Sequence, residues 1–406
     1  MSTTHRPYRV LMVIPFVRHI GGMERQSLQL AQALSRRGVG VTFLTTARLW
    51  EFFGSKPARV HGDIEGFPVV TIPGVYIPIM KNFPLEFLLW GMAYLAFHRR
   101  SFDILHGHQL FSSGVVVGAG TRLFGIPSLV KLARSGKLGD VEDVETRPFQ
   151  RIKKFIFRSI TRFIAMTPAF VEDLTHFGIA QEKIALIPNG VDTERFAPPA
   201  SREHKNEIRT RLGLPLDRPI VLMDSRLSPS KRPEHALAAW KIVHDAEPNA
   251  LLVVIGRGGS RESLPPHLTM FVHKHGLEAC VDFRGVVPNP EDYAKAADLF
   301  TLGSRSEGIS NALLQAATTE LGIAVPNNPG NASVIQDGVS GILADLDSPE
   351  SLARALLFLL QNPEQTKTMG ERAREHVQKH FSFSSVSSEY LNLYHELTRA
   401  NVSASS

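Results

Sequence analysis

Short runs of consecutive β-branched and apolar residues alternate with helix-spaced stretches along the first 190 residues, and the alternation starts afresh at Pro219. Tyr8 to Pro15 reads as a parallel strand buried on both faces, because Val10 to Ile14 is an unbroken apolar and β-branched run that the proline ends. A turn with Gly21-Gly22 follows. Glu24 to Arg37 places Leu28, Ala31 and Leu34 at helical spacing, and Gly38 stops that helix. Val39 to Thr45 is the next strand, so the opening is a βαβ unit and the sheet is parallel.

Further strands are expected near Val69–Ile72, Ile104–His106, Ser128–Leu132, Phe163–Met166 and Ile184–Ile187. A polar stretch, Pro198 to Arg218, then precedes a second series: Pro219–Met223, Leu251–Ile255, Val281–Arg284, Leu299–Leu302 and Ile323–Val325. With 406 residues the chain is too long for one hydrophobic core. Two doubly wound α/β domains are the expected fold.

Cys280 is the single cysteine, which excludes an internal disulfide and any cysteine-cluster metal site. Met1 to Arg6 is too short and polar for a signal peptide, and Leu85 to Phe97, interrupted by Glu86, is too short to span a bilayer. A net charge of +6 asks for an anionic partner without choosing among nucleic acid, phosphorylated substrate and acidic lipid.

The richest stretch is Ser304-Arg305-Ser306-Glu307-Gly308-Ile309-Ser310-Asn311, which follows a strand and opens a helix continuing through Leu313, Leu314 and Ala317. Free N–H groups at a helix start attract phosphate and sugar oxygens, and Gly308 allows a ligand close to the backbone. Glu307 and Ser310 can equally be helix-start residues that complement the dipole. Arg226 and Lys231 lie on the loop after the first strand of the second series, placed to clamp a diphosphate, although solvated cations are the commoner fate of such residues.

His106-Gly107-His108 ends a strand, and without a carboxylate or cysteine at ligand spacing a metal site is not expected there. A single imidazole, that of His108, pointing into an interdomain cleft is the reading kept. Neither Gly21-Gly22 nor Gly256-Arg257-Gly258-Gly259 completes a dinucleotide fingerprint, which removes the case for a nicotinamide dehydrogenase. Asp345-Leu346-Asp347 precedes the helix start Ser348-Pro349-Glu350 and is better read as a turn or cap than as a metal-binding pair.

Taken together, Glu307 with its helix, the Arg226/Lys231 loop, Gly21-Gly22 and His108 resemble glycosyltransferase family four, retaining enzymes with the GT-B fold. Pro188-Asn189-Gly190-Val191-Asp192 with Phe196, Phe283-Arg284-Gly285, Asp337-Gly338 with Gly341, and the closing Tyr390 and Tyr394 add to the resemblance, which covers essentially the whole chain.

It implies two Rossmann-like domains facing across a cleft. Residues 1–197 form the acceptor side, completed by a C-terminal helix over 384–400, and residues 198–383 form the nucleotide-sugar side. Arg226 and Lys231 would hold the donor diphosphate. Glu307 would hold donor-sugar hydroxyls, with the backbone of Gly308, Ile309, Ser310 and Asn311 on sugar and phosphate. His108 would line the sugar pocket, and the loop of Gly21 and Gly22 would close over phosphates and acceptor. The implied reaction moves a sugar from a UDP-sugar to a hydroxyl of a glycan, lipid-linked glycan or small metabolite. It is a front-face displacement without metal or cofactor, set in the cytoplasm, with no part for nucleic acid.

Several positions depart from the family pattern. Gln315 stands where a second glutamate usually binds the ribose, and Ser225 and Ala133 replace a usual glycine and histidine. Glu320-Leu321-Gly322 replaces a Gly-x-Pro turn, and Pro329-Gly330 with Ser333 replaces Gly-Gly and a glutamate. A degenerate member that binds a nucleotide or partner without efficient transfer is the alternative they raise.

Arg147 to Ile164 carries six cations and no acid, with Phe149, Ile152, Ile156, Ile160 and Phe163 at three- to four-residue spacing. Two readings stand: a basic amphipathic helix on an anionic membrane surface, at the inner face of the plasma membrane, or a core-packed helix with a solvated basic face.

Overall fold

The computed structural model describes residues 6–15, 21–48, 60–74, 85–136, 139–258 and 264–405. The chain divides into two compact units, Met1–Gly190 together with Phe383–Ser406, and Val191–Ser382.

The first unit is an eight-stranded sheet in the order β3-β4-β2-β1-β5-β6-β7-β8. In chain order its elements are β1 (Arg9–Val13), α1 (Gly22–Ser35), β2 (Gly40–Arg48), β3 (His61–Ile64), β4 (Phe67–Gly74), α2 (Leu85–His98), β5 (Ile104–His108), α3 (Ser113–Phe124), β6 (Ser128–Lys131), α4 (Asp140–Glu145), α5 (Gln150–Phe157), β7 (Arg162–Ala165), α6 (Pro168–His176) and β8 (Ile184–Leu186). All neighbouring pairs are parallel except the β3–β4 hairpin. Val10, Leu11, Met12 and Val13 are fully buried, as a central parallel strand covered on both faces requires. Helix α3 packs between α2 and α5.

The second unit is an all-parallel six-stranded sheet in the order β11-β10-β9-β12-β13-β14. It runs α7 (Arg202–Leu212), β9 (Ile220–Asp224), α8 (Pro233–Ala246), β10 (Leu251–Ile255), α9 (Pro266–Lys274), β11 (Val281–Gly285), α10 (Pro290–Ala296), β12 (Leu299–Thr301), α11 (Asn311–Thr318), β13 (Gly322–Pro326), α12 (Pro329–Ala332), β14 (Ile342–Ala344), α13 (Pro349–Gln361) and α14 (Pro363–His380). This is the 3-2-1-4-5-6 strand order of a doubly wound nucleotide-binding sheet, which reverses direction between β9 and β12. The final helix, α15 (Phe383–Ser405), belongs to the first unit and packs on α1. Its Val386, Tyr390, Leu393, Tyr394 and Leu397 share a buried cluster with Val10, Met12, Leu28 and Leu34.

Three expectations are corrected. The stretch from Arg147 to Ile164 is not one helix: α5 covers Gln150–Phe157, and Phe163 and Ile164 lie on β7. Strands β3 and β14 were not foreseen, being three or four residues long with partly exposed patterns. Helix α15 continues to Ser405, past the tail expected after Asn401. No helix among the described residues is long and apolar enough to cross a membrane.

Candidate functional site

The reversal between β9 and β12 opens a crevice at the carboxyl ends of the strands, where doubly wound sheets bind ligands. Two loops of the second unit meet there. The loop after β9 carries Ser225 to Arg232 and ends in a single 3-10 turn, Pro229–Lys231, before Pro233 starts α8. The loop after β12 carries Gly303 to Ser310. A Cβ on Gly303 would run into the carbonyl oxygen of Arg232, so the two backbones touch at a distance only glycine allows.

Across that contact the Lys231 ammonium pairs with Oε1 of Glu307. The side chains are 20% and 9% exposed, so the pair is largely shielded from water without being sealed from it. Ser310 is the N-cap of α11, and its Oγ accepts from the Leu313 N–H at 3.4 Å. The helix-start role read as the alternative is therefore occupied by Ser310, while Glu307 precedes the cap and spends its carboxylate on Lys231. Ile309 is buried, and Gly308, Asn311 and Gln315 are half-buried. Asn311 and Gln315, four residues apart, share one face of α11.

The loop is braced from below. Asn328 donates through Nδ2 to the Ser304 carbonyl at 3.0 Å and caps α12 through the Asn331 N–H at 2.9 Å. A Cβ on Gly330 would strike the carbonyl oxygens of Gly308 and Glu307, so the glycine at the start of α12 seats the Glu307 turn. Asp347 gives a lateral brace, accepting from Arg232 at 2.9 Å and pairing with Arg305 at 3.1 Å. Ser348, not an aspartate, caps α13. Of the acidic pair, Asp347 is thus engaged with two arginines, and Asp345 gives its backbone N–H to Ser351 Oγ at 3.0 Å. Arg226 is exposed and makes no side-chain ion pair among the described residues.

The remaining sequence-predicted residues lie in the first unit, at its own reversal point between β1 and β5. Gly21 precedes α1 and donates its N–H to Glu24 Oε2 at 3.0 Å, and Gly22 opens the helix; residues 16–20 of that loop lie outside the described residues. His108 ends β5. Its imidazole is 3% exposed and stacks on His106 with ring centroids 4.5 Å apart, an arrangement in which the two rings do not converge on a common point. His106 Nδ1 bonds the Tyr394 hydroxyl at 2.8 Å.

Lys131 was not singled out from the sequence, yet it is the register partner of His108 on β6 and is buried. Burial pushes its ammonium down to about 7. Burial and then the Lys131 charge push His108 down to about 3, so its imidazole is neutral through the physiological range. Only its place at the end of a buried strand could have marked Lys131.

Residues 20–195 match the family described as Glycosyltransferase Family 4, and residues 204–376 match Glycosyl transferases group 1. D-inositol 3-phosphate glycosyltransferase from Streptomyces coelicolor is 27% identical over 400 residues, covering 92% of this chain and 86% of its own. The protein of the same name from Corynebacterium glutamicum is 26% identical, covering 93% and 92%. Among solved structures, sucrose-phosphate synthase from Thermosynechococcus elongatus aligns with a TM-score of 0.76 at 20% identity, over 97% of this chain and all of that one. HepE from Anabaena, in complex with UDP and glucose, aligns at 0.75 and 18% identity, over 96% and 100%. Identities this low carry the fold and nothing finer.

Proposed function

The chain belongs to glycosyltransferase family 4 and has the GT-B fold, and on that premise we propose that it transfers a sugar from a UDP-sugar with retention of configuration. The observation that carries this reading is the Lys231–Glu307 pair at the reversal point of the second sheet. A carboxylate there accepts hydrogen bonds from donor-sugar hydroxyls. A lysine beside it, with Arg226 on the same loop, neutralises the diphosphate as it leaves. The positive end of the α11 dipole adds to that charge stabilisation. The bound UDP and glucose of HepE fit a pyrimidine nucleotide donor.

In the proposed step the bond from the sugar's anomeric carbon to the β-phosphate oxygen breaks, and the acceptor oxygen bonds to that carbon on the same face. The acceptor proton passes to the departing phosphate oxygen. Side-chain cations carry the leaving charge, so no metal is assigned to the step and turnover should persist in EDTA. His108, neutral and buried at the end of β5, brings an uncharged imidazole to the first unit's own reversal point.

The acceptor is a hydroxyl on a glycan, lipid-linked glycan or small metabolite. The relatives' name makes a phosphorylated cyclitol the first small acceptor to try. The setting is cytoplasmic, against an anionic membrane surface when the acceptor is lipid-linked.

Glu307→Ala and Lys231→Ala should each lower turnover by roughly 10²-fold or more, with circular dichroism showing the fold intact. Release of nucleoside diphosphate from a panel of UDP- and GDP-sugars is the readout. Unchanged turnover in both variants would sink the site assignment.

A further inference from the structure

Helix α2 is apolar on the side that faces solvent. Its buried stripe is Phe87, Gly91 and Leu95, at the four-residue spacing of a helix packed on a sheet. The opposite stripe should be polar. Instead every exposed residue of α2 before His98 is apolar: Leu89, Trp90, Ala93, Ala96 and Phe97. Trp90 is 57% exposed and Phe97 87%.

The neighbouring helices extend this surface. Leu123 at the end of α3 is exposed, and α5 turns Ile152 and Phe155 outward, with Phe149 at its N-cap, while burying the lysine between them, Lys153. The apolar side chains that a core-packed reading of residues 147–164 would bury are thus partly in solvent. Large exposed apolar side chains gathered on three packed helices mark an interaction surface.

The charge around it says what covers it. Arg99, Arg100, Arg122, Arg151 and Arg158 are exposed along the same three helices and their ends. Helices α3 and α5 contain no acid, and the one acid of α2, Glu86, sits in its first turn. Two acids of the adjoining α4 are already paired, Asp143 with Arg134 and Arg147, and Glu145 with Lys154. Arg122 lies 4.1 Å over the Phe155 ring, so cation and apolar body occupy one spot. At 14 residues α2 is about 21 Å long, too short to cross a hydrocarbon core but suited to lie in its interface.

We propose that the α2–α3–α5 face of the first unit is a monotopic membrane-binding surface for anionic lipid, with the α2 stripe inserted among the acyl chains and the arginines on the headgroups. A second copy of the chain would bring five arginines toward five more, with Glu86 the one acid that the three helices offer them. The surface does not depend on the transfer chemistry, and the two stand or fall separately.

The test uses the full chain with vesicles of phosphatidylglycerol and phosphatidylcholine against phosphatidylcholine alone. Co-sedimentation should favour the anionic vesicles and weaken as salt rises, with a blue shift of Trp90 emission that Trp90→Phe removes. Trp90→Glu and Phe97→Glu should each weaken binding at least roughly tenfold, and Arg122→Ala or Arg151→Ala by roughly fivefold. All four positions are exposed, and transfer to a soluble acceptor should stay at the native rate. Glu307→Ala should bind vesicles as the native chain does. Equal, low binding to both vesicle types overturns the proposal. So does lipid-free dimerisation that Trp90→Glu abolishes, which would make the face a subunit interface.

Discussion

Lys131 shows how much of the site's chemistry rests on where one charge is kept. Its ordinary value of 10.5 falls to about 7 on burial, and no carboxylate pairs with it among the described residues. Between those two values the unfolded chain holds a proton that the folded chain lacks, so this group makes stability climb with pH from about 7 to 10.5. Lys131→Met removes the term. It should stabilise the first unit by on the order of a few kcal/mol at pH 7, with the advantage shrinking toward pH 10. Melting of both proteins across that range is the measurement, and a gap that does not change with pH would refute it. His108 acts on the acid side: its folded value is about 3 against 6.5, so its stabilisation is complete above 6.5 and lost as pH falls to 3. None of this was legible from Ser128-Leu129-Val130-Lys131, which reads as an ordinary strand ending in a cation. The departures from the family pattern were legible, but not their accommodation. Pro329 takes the first position of α12, where its missing N–H costs nothing. Ser333 turns its hydroxyl onto the Gly330 carbonyl at 2.7 Å, and Glu320 takes φ 63° with Arg374 at 3.6 Å.

Among the elements, the strands of the second unit were the most readable, because a strand buried on both faces must be apolar at every position. The single-helix reading of residues 147–164 failed for the complementary reason, while the strand expected near Phe163–Met166 is β7. The apolar spacing fits a helix, but β7 is required between β6 and β8, and the pairing of Phe163 with Ile184 outweighs the local pattern. Lys153, expected on a solvated face, is buried with its ammonium 4.7 Å from the Phe111 ring. The short helix α12 carries a test of its own. Its Gly330 has φ in the ordinary range, so alanine suits the backbone there, and the obstacles are the carbonyls of Gly308 and Glu307. Gly330→Ala should therefore displace the Glu307 turn, costing about 1–3 kcal/mol and cutting turnover well beyond that loss of stability. A variant with native kinetics would show that the seat of this loop does not matter.

For the molecule as a whole, the apolar spacing of the last helix did not say which unit receives it, and only the family resemblance put it on the first. Its apolar stripe was readable, but its destination depends on contacts such as Tyr394 to His106, 288 positions apart. The structure returns α15 to the first unit, where Tyr390 and Tyr394 pack beside the His106–His108 stack. Five of its side chains join that core, and each large apolar side chain contributes about 1.5–3 kcal/mol. Domain stabilities are only about 5–15 kcal/mol, so the first unit should not survive without the helix. The second unit spans Val191–Ser382 without interruption and includes Lys231, Glu307 and the α12 brace. The two truncations should therefore behave oppositely. A chain ending at Ser382 should lose cooperative melting of its first unit. The fragment 191–382 should melt cooperatively and bind UDP in a calorimeter, with the heat abolished by Lys231→Ala. Native melting of the chain ending at Ser382 would mean that α15 is an accessory, and that His108 is held in place by its own strand alone.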